Sequence, residues 1–90
     1  MAELEQAERR ARRERTQALF TALSVQVEVM TALLEAGALT PGAVRPIAAR
    51  IRGAADGWKS YFPDGADMLL VPLGELESLV ARRLKDGGSL

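Results

Sequence analysis

Histidine and cysteine are absent from this chain of 90 residues, and only 4% of its residues are aromatic. The two absences exclude a disulfide framework, a thiolate nucleophile, a histidine general acid or base and an ordinary structural zinc site. A glycine-rich phosphate loop and a G-x-S-x-G nucleophile motif are also missing from the sequence. We therefore expect no enzyme: no catalytic residues, no metal site, no cofactor and no small-molecule substrate.

Large apolar side chains are also few. The hydrophobic fraction is 48%, but 15 of these 43 residues are alanine. A chain of this size forms one small domain, and such a domain buries only about 60 to 65% of the surface that its unfolded chain exposes. The core should therefore be thin, and we expect the protein to associate with itself or with another protein, which would cover more apolar surface.

The N-terminus has no apolar signal region, and its glutamates argue against an organellar transit peptide, so we expect a cytoplasmic protein. The longest charge-free stretch, residues 16–27, has 12 residues, fewer than the roughly 18 to 20 that a membrane-spanning helix needs. We therefore expect no transmembrane span and no membrane partner. The richness in alanine, arginine, glycine and leucine, with only two lysines, suggests a GC-rich bacterial or phage genome.

A single long N-terminal helix is predicted, since residues 2–36 contain neither glycine nor proline. Along its second half, apolar residues are spaced three, four, three and four apart, as in the a/d seam of a heptad repeat. These residues are Phe20, Leu23, Val27, Met30 and Leu34. The seam either forms an oligomer interface or packs against later helices of the same chain. Residues 23–29 also alternate apolar and polar like a strand, but no turn residue separates them from the helix.

All glycines and prolines of the chain lie at or after Gly37. We expect Gly37 to cap the long helix, a helical turn near Pro41 and a second helix from about Pro46 to Gly57. Residues 59–74 are predicted to be irregular, with residues 68–71 as an extended or strand segment. A last amphipathic helix should follow Pro72.

Taken together, these signals predict an all-α fold, in which a long N-terminal helix packs against two shorter helices, with an irregular Pro/Gly-rich segment before the last helix. Residues 1–16 are expected to be a charged, solvated helical extension, because the apolar seam stops at the arginines. Residues 17–86 then form the helical domain, and residues 87–90 a frayed tail.

A run of arginines is the most visible polar feature of the sequence. These candidate phosphate contacts are Arg9, Arg10, Arg12, Arg13 and Arg15. Alternatively, the same segment is a solvent-exposed helix that its own ion pairs stabilise. Glu5 precedes Arg9 and Glu8 precedes Arg12 by four residues, which is the favourable order for helical ion pairs. Its alanines make too poor an apolar face for membrane-surface binding.

Three of the four aromatic residues, Trp58, Tyr61 and Phe62, fall within five positions. They either pack into the core at the point where a helix becomes a loop or form a surface patch that binds a partner. The nearby Asp64 and Asp67 are too few to bind calcium.

The function predicted from these observations is a non-enzymatic protein–protein interaction or homo-oligomerisation module, a homodimer or a larger ring that also binds another protein. The alternative is a small nucleic-acid-binding adaptor of the bacterial or phage packaging or regulatory type, which would use the arginine-rich helix.

Overall fold

The computed structural model describes residues 2–87, which form three α-helices and no strands. The helices are α1 (Ala2–Glu35), α2 (Pro41–Trp58) and α3 (Pro63–Lys85). The predicted all-α fold with a long first helix is therefore confirmed, and residues 23–29 are helical rather than extended. Of the predicted C-terminal tail, residues 88–90 lie outside the described part of the chain.

Helix α3 lies at the centre of the molecule, with α1 and α2 both packed on it and hardly touching each other. It runs parallel to α1, because its start lies beside the middle of α1 and Arg83 near its end lies 3.5 Å from the backbone oxygen of Glu35. It runs antiparallel to α2, to which it is joined by an ion pair between Glu77 and Arg52. In this pair the Glu77 carboxylate raises the pKa of Arg52 by accepting its hydrogen bonds.

The apolar seam of α1 faces α3 and forms much of the hydrophobic core. Phe20, Val27 and Leu34 are almost fully buried, and Leu23 and Met30 pack against them at its edge. Leucines of α3 and small apolar residues of α2 complete the core; they include Leu69, Leu73 and Leu76 from α3, and Val44, Ala48 and Ala55 from α2. The seam is thus used inside a single chain.

The end of α1 and the start of α2 are determined by local signals. Gly37 has a φ of 78°, and the N–H groups of Gly37 and Ala38 donate to the carbonyls of Leu34 and Leu33, as in a Schellman motif. Thr40 then caps α2 by accepting a hydrogen bond of 3.2 Å from the N–H of Ala43. The prediction that the second helix begins at Pro46 is wrong, because this cap starts it at Pro41, with Pro46 inside it.

The prediction of an irregular segment over residues 59–74 is wrong for most of its length, since α3 begins at Pro63 and continues through Pro72. Proline has no N–H, so Pro72 leaves the carbonyl of Met68 without its usual intrahelical donor. The hydroxyl of the buried Ser24 on α1 lies 3.4 Å from this oxygen, and 2.9 Å from the carbonyl of Phe20. A donor from the neighbouring helix therefore partly replaces the lost bond.

Candidate functional site

Two of the three clustered aromatic residues meet Phe20 at the junction of α2 and α3. The Phe20 ring packs edge-on against Trp58, with 5.5 Å between the ring centroids and 84° between the planes. Phe62 lies 6.0 Å away in a tilted arrangement. These aromatic pairs connect all three helices at one end of the core, because Phe20 lies on α1, Trp58 ends α2 and Phe62 precedes α3.

The cluster is divided between the core and the surface. Trp58 is half-buried against the core, whereas Phe62 is 43% exposed and Tyr61 is 78% exposed. A tyrosine ring with this exposure contributes little to the core. Of the two interpretations made from the sequence, packing into the core therefore describes Trp58, whereas the exposed position of Tyr61 is compatible with a surface patch.

The N-terminal half of α1 extends past the start of α3, and residues 2–15 are all exposed. In this half the helix face that carries Phe20 carries Arg9, Arg12 and Arg13 instead, and these three residues line the same groove as Pro63. Arg10 and Arg15 lie on other sides of the helix. The predicted ion pairs from Glu5 to Arg9 and from Glu8 to Arg12 are not formed. The Arg52–Glu77 pair is the single salt bridge within residues 2–87.

These arginines and the exposed aromatic residues face each other across a groove with a volume of about 560 Å³. We call it the arginine–aromatic groove. Arg9, Arg12 and Arg13 form one wall, Tyr61, Phe62 and Pro63 form the other, and Phe20, Gly65 and Met68 lie at its base. Thr16, Gln17 and Asp64 complete the lining, and Asp64 is its one carboxylate. The groove therefore combines an excess of positive charge with apolar surface.

A second surface lies on the side of α1 that points away from α3. It is apolar over about four helical turns, interrupted only by Gln26, and its large side chains are between 40% exposed (Leu33) and 55% exposed (Leu19). We call it the outer face; it consists of Ala18, Leu19, Ala22, Val25, Val29, Ala32 and Leu33. Positions 18, 22, 25, 29 and 32 again follow the heptad spacing of four and three. The helix is therefore apolar on two opposite sides.

This double apolar character has a consequence for membrane crossing. By length and composition, α1 is the one helix within residues 2–87 that is able to span a membrane. The prediction from the sequence that no helix spans a membrane used too strict a criterion, because it required a stretch without any charged residue. A membrane-spanning helix tolerates a single charged residue such as Glu28. The core helices of soluble proteins pass the same test, and Phe20, Val27 and Leu34 on this helix are buried against the rest of the protein.

Within residues 2–87, no three Asp or Glu side chains lie together in an arrangement that could hold a metal ion. Asp64 and Asp67 lie on the first turns of α3 without a third carboxylate beside them. The hydroxyl of Ser24 is buried between backbone carbonyls, with no general base among its hydrogen-bond partners.

Comparisons of the chain with models of protein families, with curated proteins and with solved structures find no match. Function is therefore inferred from the two surfaces. Sequence reasoning identified the residues of the groove as two separate motifs, but not that they meet. The same helix also contains a second heptad row, from Ala18 to Ala32, which the seam prediction did not use.

Proposed function

We propose that the protein is a non-enzymatic helical interaction module that associates with a second copy of itself through the outer face of α1. The observation that carries this proposal is the continuous row of exposed apolar residues on a helix whose opposite side is already buried. Contiguous apolar surface of this kind marks an interaction site, whereas single exposed apolar residues are ordinary. A helix segment that is apolar on two opposite sides needs cover on both of them.

A second protein copy accounts for the outer face better than a lipid environment does. If α1 crossed a membrane, Phe20, Val27 and Leu34 would have to leave the core that they form with α3, and the small domain would lose most of its apolar contacts. Association through the outer face leaves this core intact. It also adds apolar burial to a domain whose own core is thin.

The chemistry of the outer face favours close packing of two helices in opposite directions. Ala18, Ala22 and Ala32 are small and allow a second helix to approach closely, and the heptad spacing matches knobs-into-holes packing. In a parallel pair, the arginine runs of the two chains would lie side by side and repel each other. In an antiparallel pair, each run points toward the end of the other helix, where Glu28 and Glu35 lie.

The test is the molar mass of the protein in solution, measured by light scattering over a range of concentrations. We expect a dimer, and we expect Val29→Glu to dissociate it at concentrations at which the original protein remains dimeric, because the substitution would bury an unpaired charge in each copy. Circular dichroism should show that the variant keeps its helical content.

Ile47→Glu is the matched control. Ile47 is as exposed as Val29, 46% in each case, but it lies on α2, away from the outer face. This variant should remain dimeric. A monomeric wild-type protein, or a Val29→Glu variant with unchanged molar mass, would contradict the proposal.

A further inference from the structure

The arginine–aromatic groove points to a second binding activity. We propose that it binds single-stranded nucleic acid, with Arg9, Arg12 and Arg13 along the sugar-phosphate backbone and Tyr61 stacked on a base. This inference is independent of self-association, because the groove is formed within one chain. The helix and the loop that form its two walls are separated by about fifty residues in the sequence.

The arginine wall supplies the positive charge that such a ligand requires. Arg12 and Arg13 lie three and four positions after Arg9, each about 5 to 6 Å from it along the helix, so the three guanidinium groups cluster on one side of α1. None of them is engaged in an ion pair within residues 2–87, and the groove lining contains a single carboxylate, Asp64. These three guanidinium groups are therefore free to donate charge-assisted hydrogen bonds to phosphate oxygens.

The aromatic wall favours a single strand over a duplex. An exposed aromatic ring beside a basic groove is the arrangement that binds single strands, because unpaired bases stack on it regardless of sequence. In a duplex the bases are stacked on each other, so a protein that bound only duplex phosphates would gain nothing from Tyr61. The groove volume also lies within the ~300–1,000 Å³ of sites that hold one small molecule. It is therefore large enough for a single base or nucleotide of a strand.

The experiment is a titration of the full-length protein into a fluorescently labelled 20-nucleotide oligo(dT), followed by anisotropy at 50 and 200 mM NaCl. A duplex of the same length and an oligoglutamate peptide of similar charge are the competitors. We expect the single strand to bind, its affinity to fall as salt rises, and both competitors to displace it weakly.

Two double variants with equal charge changes test the role of the groove. R9A/R12A removes two groove arginines, and we expect it to weaken binding at least tenfold and to reduce the slope of log affinity against log salt by about 1.4. R10A/R15A removes two arginines from other sides of the same helix and should weaken binding less than threefold. Tyr61→Ala should weaken it about fivefold or more, whereas Tyr61→Phe, which keeps a stacking ring, should retain it.

Several results would overturn the inference. These are no binding at 50 mM NaCl, equal losses in the two arginine variants, an unchanged affinity of Tyr61→Ala, and displacement by the duplex or the peptide as effective as by unlabelled oligo(dT). Absence of binding would show that the groove does not bind single strands. Each of the other three results would indicate that the nucleic acid is attracted by charge alone. Molar mass measured on the same samples keeps this outcome separate from that of the dimer proposal.

Discussion

At the scale of single residues, one glycine allows α1 and α3 to approach each other. A Cβ atom at Gly65 would lie 2.7 Å from Cε2 and 2.8 Å from Cγ of the Phe20 ring, well inside van der Waals contact. Phe20 is 2% exposed and is held by Trp58 and Phe62, so its ring has no room to move away. The first turn of α3 therefore depends on the absence of a side chain at this position.

Gly65→Ala should lower the free energy of unfolding by about 1 to 3 kcal/mol, because overpacking at a rigid ring outweighs the helix propensity that alanine gains. Urea denaturation measures the effect. Gly53→Ala is the matched control, since Gly53 lies inside α2 and a Cβ atom there would meet no neighbouring side chain within 4 Å. It should raise stability by about 0.5 to 1 kcal/mol. A gain of similar size at both sites would show that Phe20 does not limit Gly65.

At the scale of helices, α1 places a hydrogen-bond donor beside the internal proline of α3. Pro72 is buried in the middle of α3 and removes the intrahelical partner of the Met68 carbonyl. Ser24 is the one buried polar residue in the described core, and its hydroxyl lies between this carbonyl and that of Phe20. The two residues therefore act as a pair, although 48 positions separate them in the sequence.

A double-mutant cycle tests this coupling. Ser24→Ala should cost about 1 kcal/mol in the original protein, because the Met68 carbonyl then loses its remaining donor. In the Pro72→Ala background the cost should be smaller, since the N–H of the new alanine can donate to Met68 within the helix. Thermal or urea unfolding of the four proteins gives the coupling energy. Simple additivity of the two substitutions would contradict the proposed role of Ser24.

At the scale of the whole molecule, the protein is elongated, with principal extents of 61, 22 and 15 Å. This shape arises because α1 is much longer than the helices that pack on it, and its first 14 described residues are all exposed. The extension carries one wall of the groove but contributes no buried residue to the core. The arginine wall of the groove is therefore located outside the part of the molecule that forms the core.

Deletion of residues 1–13 should consequently change the thermal midpoint by less than about 4 °C, the shift that corresponds to roughly 1 kcal/mol in a domain of this size. The seam from Phe20 onward keeps its contacts, and Thr16 remains to begin the shortened helix. Scanning by circular dichroism measures the midpoint, with Trp58 fluorescence as a second probe of the core. A drop of ten degrees or more would show that the extension supports the fold.

Much of the fold was predictable because its causes are local. A stretch without glycine or proline predicts α1, the heptad spacing identifies Phe20, Val27 and Leu34 as one apolar row, and the left-handed preference of glycine places the cap at Gly37. The errors occurred where distant residues override local preference. The prolines and the glycine of residues 63–72 favoured an irregular segment, but this segment packs as a helix against Phe20 and Ser24 of α1. In α2, the Thr40 cap starts the helix before Pro46.

Helix content and the apolar rows of α1 therefore follow from the sequence alone, because residues three and four apart on a helix share a face whatever surrounds them. Tertiary structure decided which of the two rows is buried, since this depends on where α3 docks. It also decided that three arginines of α1 face Tyr61 across a groove, because the parallel packing of α1 and α3 brings the α2–α3 loop beside the protruding half of α1. Contacts between distant parts of a chain are set by packing, which spacing along the sequence does not encode.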